Sequence, residues 1–160
     1  MPVAQEAANR TGVLSVNKSM ALAALLLSSC SAASEPEINI EHAWARATVA
    51  GQPSTAVYLD IENGGGEDRL LSVSTPIGAA SIHATTMANG VMRMRPLDDV
   101  PVPARSGVAL KPGGPHIMVT LLQAPLAAGS TVPLDLKFER SGTVRVAVPV
   151  RPGESSGETM

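Results

Sequence analysis

The sequence predicts an all-β domain folded as an antiparallel Greek-key sandwich, and three observations predict it. From Ile38 onward, apolar and polar residues alternate in short segments, as they do in half-buried strands. Gly, Pro, Asn and Asp separate these segments and are typical of turns. After Cys30, no stretch of about ten residues keeps a helical period, so we expect about eight or nine strands in two packed sheets.

The strand candidates follow one another along the chain with turn residues between them. After a first strand from Ile38, they occupy residues 55–61, 69–74, 80–85, 91–95, 107–110, 117–122, 132–138 and 144–150. The last two are the clearest, because a valine, leucine or phenylalanine occupies every second position. Ser141 and Gly142 lie in the hairpin turn between them. Six prolines between Pro101 and Pro133 suit loops and edge strands, where a missing N–H breaks no ladder hydrogen bond.

The N-terminal part of the chain has the features of an export signal. A short apolar segment, residues 20–27, follows Lys18 and ends just before Cys30, which is the only cysteine. Leu27-Ser-Ser-Cys30 resembles the bacterial lipobox, in which the cysteine becomes the first residue and receives a lipid. In the 160-residue chain we therefore expect a lipoprotein signal peptide at 1–29 and a lipidated tether at 30–36. A folded domain at 37–150 and a disordered tail at 151–160 would follow.

These features place the protein in the periplasm, with the lipid on Cys30 as its only contact with the membrane. Ser31 follows the cysteine, where an Asp would commonly favour retention at the inner membrane, so attachment to the outer membrane is slightly favoured. The alternative for Cys30 is a buried thiol in a short apolar helix.

The composition argues against several classes of function. The net charge is −2 and no basic run occurs, so we expect no nucleic-acid partner. No apolar stretch approaches the roughly 20 residues that span a bilayer. No Gly-x-Ser-x-Gly or similar nucleophile signature occurs, and we expect no enzyme. Only one Trp, one Tyr and one Phe are present, so the core must be aliphatic. We expect Trp44 to anchor it, with the alternative that its ring shields a metal.

Methionine and histidine are concentrated in one part of the chain. A window of 36 residues, 83–118, holds four of the seven methionines and two of the three histidines. These are His83, Met87, Met92, Met94, His116 and Met118. Residues two apart point to the same face of a strand, which pairs His116 with Met118 and Met92 with Met94. Methionine used as core filler would be scattered among the strands, so this concentration indicates a binding site.

Imidazole nitrogen together with thioether sulfur is a donor set for a soft metal ion. Cu(I) suits thioethers, whereas Zn²⁺ and Mg²⁺ prefer thiolate or oxygen ligands. Methionine also suits an oxidising compartment, where paired cysteines would close into a disulfide. A copper oxidase or reductase is a rival, but redox copper sites usually include a thiolate or a His-rich set. A structural surface lipoprotein without metal is the other rival, in which Met118 merely packs.

The spacing resembles that of a known family. His83, ten residues, Met94, twenty-one residues and then His116-x-Met118 match the signature of the periplasmic copper chaperones called PCu(A)C. Stretches 43–46, 90–95 and 110–118 are also similar to the family, and the resemblance spans about 38–150. It implies a cupredoxin-like or immunoglobulin-like sandwich in which His83, Met94, His116 and Met118 bind Cu(I).

The resemblance also implies a function and partners. Members of the family are associated with copper supply to the CuA centre of cytochrome c oxidase, alongside thiol-bearing Sco-type proteins. The expected acceptor is therefore subunit II of the oxidase or a Sco-type protein, with copper delivered by ligand exchange. Met87 and Met92 lie outside the signature. Met87 is expected either to shield the metal or to be a partly exposed loop residue, and Met92 to line the face of Met94 and exclude water. Copper storage or detoxification would need the same ligands, so the sequence leaves delivery and storage open.

Overall fold

The structure is a computed structural model that describes residues 34–152. The expected signal peptide, the expected lipidation site Cys30 and residues 153–160 of the expected tail lie outside the described residues. Between 34 and 152 the chain forms ten strands and no helix. They are β1 (Ile38–Arg46), β2 (Thr55–Asn63), β3 (Asp68–Ser74), β4 (Ala79–Ala88), β5 (Val91–Pro96), β6 (Val100–Val102), β7 (Ser106–Leu110), β8 (Pro115–Thr120), β9 (Thr131–Phe138) and β10 (Thr143–Arg151).

The strands form two layers that are joined along one side. The first layer has the order β5-β4-β8-β2-β1, with β7 also paired to β2, and the second has the order β10-β9-β3-β6. The layers meet where β1 and β10 run parallel, with Ala45 opposite Val150 and Arg46 opposite Arg151. Every other strand pairing is antiparallel. The all-β sandwich is confirmed, with this one parallel exception to the expected pairing.

The core lies between the layers and is almost entirely aliphatic. In β9, Val132, Leu134, Leu136 and Phe138 are all buried, as the alternation predicts. Val57, Leu59 and Ile61 of β2 are buried in the same cluster from the opposite layer. In residues 34–152, no helix is long and apolar enough to cross a membrane.

Two structural details depart from the expected strand bounds. Strand β6 was not expected, because it has only three residues and contains Pro101; it lies at the edge of the second layer beside β3. Strand β2 extends to Asn63, two residues beyond the expected end at residue 61. The Asn63 side chain donates to the carbonyls of Gly66 and Pro103 and accepts from the amides of Glu37 and Gly65. Four hydrogen bonds allow this buried amide to end the strand.

The chain just before β1 lies against the loop between β2 and β3. The amide of Gly66 donates to the carbonyl of Glu35 at 3.0 Å. A Cβ atom on Gly65 would come within 2.0 Å of that carbonyl oxygen, so only glycine permits this approach. Residues 34–36, the end of the expected tether, are therefore held against the domain.

Candidate metal centre

Strands β4 and β8 bring the two histidines of the predicted site together. They pair His83 with His116 and Ser81 with Met118, and the two imidazole centroids are 6.4 Å apart with 28° between the ring planes. The neighbouring Ile82 and Ile117 are buried in the core. Because side chains alternate along a strand, the histidines and Met118 project from the outer face of the first layer.

The hairpin of β4 and β5 brings Met94 to the same face. Met94 lies opposite Thr85, which is two residues from His83 and shares its face. The hairpin turn consists of Asn89 and Gly90, whose φ angles are 52° and 75°. Positive φ at both positions is the type I′ geometry that suits a two-residue hairpin. The four predicted ligands thus share one face, with Met94 and Met118 on opposite sides of the histidine pair.

A hydrogen bond to a backbone carbonyl determines the tautomer of His116. The Nδ1 atom lies 2.9 Å from the carbonyl oxygen of Gly114. A carbonyl only accepts hydrogen bonds, so Nδ1 carries the proton and Nε2 keeps a lone pair that can bind a metal. The residue is 5% exposed. The turn that presents it is closed by a hydrogen bond from the Lys111 amide to the Pro115 carbonyl at 2.8 Å.

His83 has a buried nitrogen that lacks a hydrogen bond. Its Nε2 atom is 2.9 Å from the hydroxyl of Ser81, while its Nδ1 atom is buried and has no partner among residues 34–152. Leaving a buried polar atom unpaired costs about 1–3 kcal/mol, so such an atom needs an explanation. When Nε2–H donates to Ser81, Nδ1 has a lone pair and is available as a metal ligand. Ser81 was not predicted, although its position two residues before His83 places it on the same face.

The thioethers differ in exposure. Met118 is half-buried, whereas Met94 is 52% exposed. Met87 and Met92 are 67% and 66% exposed and lie directly opposite each other near the hairpin turn. They are four residues along β4 and β5 from the row of His83, a distance of about 13 Å at the usual rise of a strand. The structure therefore places Met94 near the histidines and the Met87–Met92 pair at the hairpin tip.

An aromatic row continues from the histidines across the outer face. The Tyr58 ring is 6.2 Å from His116, and the Trp44 ring is 4.6 Å from Tyr58. Trp44, expected in the core, is half-buried on this face. A bulge between Glu41 and Trp44 is the reason, since it shifts the register of β1 against β2. One extra residue reverses the alternation that starts at Ile38, so Ala45 enters the core instead.

The donor set fits a soft metal ion. Among residues 34–152, no three His, Cys, Asp or Glu side chains cluster in a way that could hold a metal ion. Two imidazoles are the only nitrogen or oxygen side-chain donors of the predicted set, and the others are thioethers. Hard ions such as Mg²⁺ and Ca²⁺ need several oxygen ligands, which this set does not offer.

Comparison with known families agrees with this arrangement. Residues 38–150 match the family described as "LpqE-like: Putative lipoprotein LpqE-like". The chain belongs to the LpqE-like family. A relative from Leifsonia xyli subsp. xyli (strain CTCB07), named "Putative lipoprotein Lxx21020", is 35% identical over 124 residues, which are 76% of this chain and 74% of the relative. The description of the family and the name of this relative both carry the word lipoprotein.

Solved structures resemble this LpqE-like chain over most of its folded part. The copper-bound PCuAC domain from PmoF2 is 25% identical with a TM-score of 0.62, over 74% of this chain and 95% of that domain. The solution structure of CuI-DR1885 from Deinococcus radiodurans is 26% identical with a TM-score of 0.54, over 72% of this chain and 80% of that protein. The resemblance to the PCu(A)C family, predicted from the His and Met spacing, is confirmed.

Proposed function

We propose that this LpqE-like protein is a Cu(I) metallochaperone whose copper ligands are His83, Met94, His116 and Met118. The observation that carries the proposal is the buried Nδ1 atom of His83, which has no hydrogen-bond partner in the described chain and belongs to a ring paired with His116. A soft cation between these rings would give that atom a partner. Two structural relatives, one described as copper-bound and the other as CuI-DR1885, support the identity of the ion.

The four proposed ligands differ in how they hold and release the ion. The carbonyl of Gly114 and the hydroxyl of Ser81 orient the imidazoles, so little conformational freedom is lost when copper binds. Met94, the most exposed of the four, is the ligand that a partner's donor atom can replace first. His116 is buried and leaves last. Copper is then handed over by ligand exchange, without a free ion and without catalysis.

The acceptor and the location follow from the same proposal. An acceptor with thiolate and imidazole donors would bind copper more tightly than thioethers do. The CuA site of cytochrome c oxidase subunit II or a Sco-type protein has this chemistry. A lipid on Cys30 would hold the chaperone at the periplasmic side of a membrane, with the outer membrane slightly favoured.

Copper binding is tested by competition with a Cu(I) chelator, using the full chain with Cys30→Ser so that the thiol does not compete. One Cu(I) per chain is expected. The Met94→Ala, Met118→Ala double variant should weaken binding by about a hundredfold or more, about 2.7 kcal/mol. His42→Ala is the matched control, because His42 is exposed and paired with Asp60 away from the site. Unchanged affinity in the double variant would overturn the assignment.

Delivery is distinguished from storage by kinetics. Copper should move to an apo acceptor domain faster than it moves to a dilute chelator of equal affinity, because the acceptor enters the coordination sphere before copper leaves. Transfer no faster than spontaneous dissociation would indicate storage.

The anchor is tested by fractionating cells that carry Cys30→Ala. The variant should leave the membrane fraction, because stable attachment needs the acyl chains of the cysteine. Retention in the membrane as before would contradict the anchor.

A further inference from the structure

The hairpin of β4 and β5 carries two methionines that the proposed function does not use. Met87 and Met92 are directly opposite each other and about two-thirds exposed. Met94 lies two residues after Met92 on the same face, on the side of the histidines. Thioethers are thus spaced along one face of the hairpin, from its tip to the predicted copper site.

The pairing places two sulfur donors within reach of one ion. Directly opposite residues of an antiparallel pair have Cβ atoms about 4.5–5.5 Å apart. The Met side chain has three rotatable bonds beyond Cα, so two sulfur atoms on such a pair can converge on one ion or turn away. Within residues 34–152 nothing buries them at the tip, and the pair is accessible to a partner. A two-sulfur site of this kind suits a soft monovalent ion, which accepts a low coordination number.

We propose that the Met87–Met92 pair is a second, weaker Cu(I) site, through which copper enters and leaves the four-ligand site. The inference rests on the proposed function, because it needs a tighter site to receive the ion. Copper stays Cu(I) throughout: a bond to the Met94 sulfur forms as a bond to the Met92 sulfur breaks. Met94 is about 7 Å from Met92 along the strand, a gap that two flexible thioether side chains can bridge.

The test is a titration of the full chain with Cys30→Ser, labelled with ¹³C at the methionine methyl groups. Under anaerobic conditions, the first equivalent of Cu(I) should shift the methyl signals of Met94 and Met118. The second equivalent should shift those of Met87 and Met92. In the Met87→Leu, Met92→Leu variant, binding of the second equivalent should weaken at least about tenfold, while the first affinity stays within about twofold.

The same variant tests the route of transfer. Loading from a Cu(I)–chelator complex should slow by about tenfold in Met87→Leu, Met92→Leu, since the entry ligands are gone. Leucine keeps the apolar character of the tip, so a change in hydrophobicity is not the cause. Val91→Leu is the matched control, because it alters another exposed apolar residue of the hairpin without touching a thioether. It should leave both affinities and the rate unchanged.

The outcomes separate this inference from the proposed function. If the first equivalent shifts Met94 and Met118 but Met87 and Met92 never respond, and loading is not slowed in the leucine variant, the tip site is overturned and the chaperone stands. If Met94 and Met118 do not respond to any addition, the proposed function itself fails, and the tip has no tighter site to supply.

Discussion

Two hydrogen bonds orient the imidazole rings at the candidate metal centre. The Gly114 carbonyl holds the proton of His116 on Nδ1, whereas Ser81 engages Nε2 of His83. With Nε2–H of His83 donating to Ser81, the two imidazoles would bind copper through different atoms, Nε2 of His116 and Nδ1 of His83. The sequence predicts both histidines from their spacing. It does not predict their tautomers, because these depend on which polar group folding brings beside each ring.

Substitution of Ser81 tests whether its hydroxyl orients the His83 ring for copper binding. In Ser81→Ala the Nε2 atom of His83 loses its partner, so the ring is no longer held with Nδ1 toward the metal. Groups that orient a metal-binding histidine typically contribute 10- to 100-fold in affinity, and we expect Cu(I) affinity to fall by about tenfold. Chelator competition measures it. Ser81→Thr keeps the hydroxyl and should retain most of the affinity; equal affinities in all three proteins would refute an orienting role.

The ionised carboxylate of Asp68 stabilises the folded domain. Burial alone would raise the pKa of its carboxyl. Hydrogen bonds from the Ser141 hydroxyl and from the amides of Arg140, Arg69 and Ser141 outweigh burial and lower the pKa below the ordinary value of 3.8. Because the folded state favours the ionised form, this stabilisation is complete above about pH 4 and is lost as the pH falls through the lowered pKa.

Asp68→Asn should therefore destabilise the domain near neutral pH. An amide offers one acceptor oxygen where the carboxylate offers two, so hydrogen bonds at the β9–β10 turn are lost. We expect the free energy of unfolding to fall by about 1–3 kcal/mol at pH 7. Urea unfolding at pH 7 and pH 3 measures the difference, which should narrow at pH 3. A difference that is the same at both pH values would show that the ionised form is not what stabilises the turn.

At the scale of elements, the local pattern predicts strands well and their partners poorly. Alternating apolar residues locate β9 and β10 to within one residue at each end. The alternation does not predict the short β6, because a strand of three residues around Pro101 is too short to show a period. Trp44 is misplaced because the bulge in β1 reverses which side chains face the core. The pairing of β4 with β8 places His83 opposite His116, and this long-range register leaves no trace in either segment alone.

The aromatic row on the outer face follows from the pairing of β2 with β8 and with β1. Tyr58 of β2 is buried between His116 of β8 and Trp44 of β1. Its ring covers one side of the His116 imidazole. Tyr58→Ala should leave a cavity and lower the free energy of unfolding by about 3 kcal/mol. It should also weaken Cu(I) binding, since His116 loses a wall that holds its ring.

Tyr58→Phe is the matched control for this substitution. It keeps the ring and removes only the hydroxyl, so stability and copper affinity should stay close to those of the parent chain. Denaturant unfolding and chelator competition measure the two quantities. A phenylalanine variant as weak as the alanine variant would show that the hydroxyl, and not the packing of the ring, is what matters.

In the molecule as a whole, the core and the candidate metal centre occupy different faces of the first layer. Buried residues of β2, β8 and β9 form one aliphatic cluster between the layers. His83, His116 and Met118 project from the opposite face of their strands. The parallel contact of β1 with β10 is separated from β8 by strand β2 in the strand order. The fold therefore does not depend on copper for its core.

The metal-free protein should accordingly be folded, with a site already in place. Backbone amide spectra of the metal-free and Cu(I)-loaded chains should nearly coincide except at residues 83–94 and 112–118, where the ligands and the Lys111–Pro115 turn lie. Copper at one hundred times its dissociation constant should add about 2.7 kcal/mol to the free energy of unfolding, and a chelator should remove that increment without unfolding the protein. A site assembled only by the ion would behave differently. The dispersed amide signals of the metal-free chain would then be lost across all ten strands, and copper release would be as slow as unfolding. Such behaviour would indicate a store whose folding is linked to copper, and not a carrier that exchanges ligands with its partner.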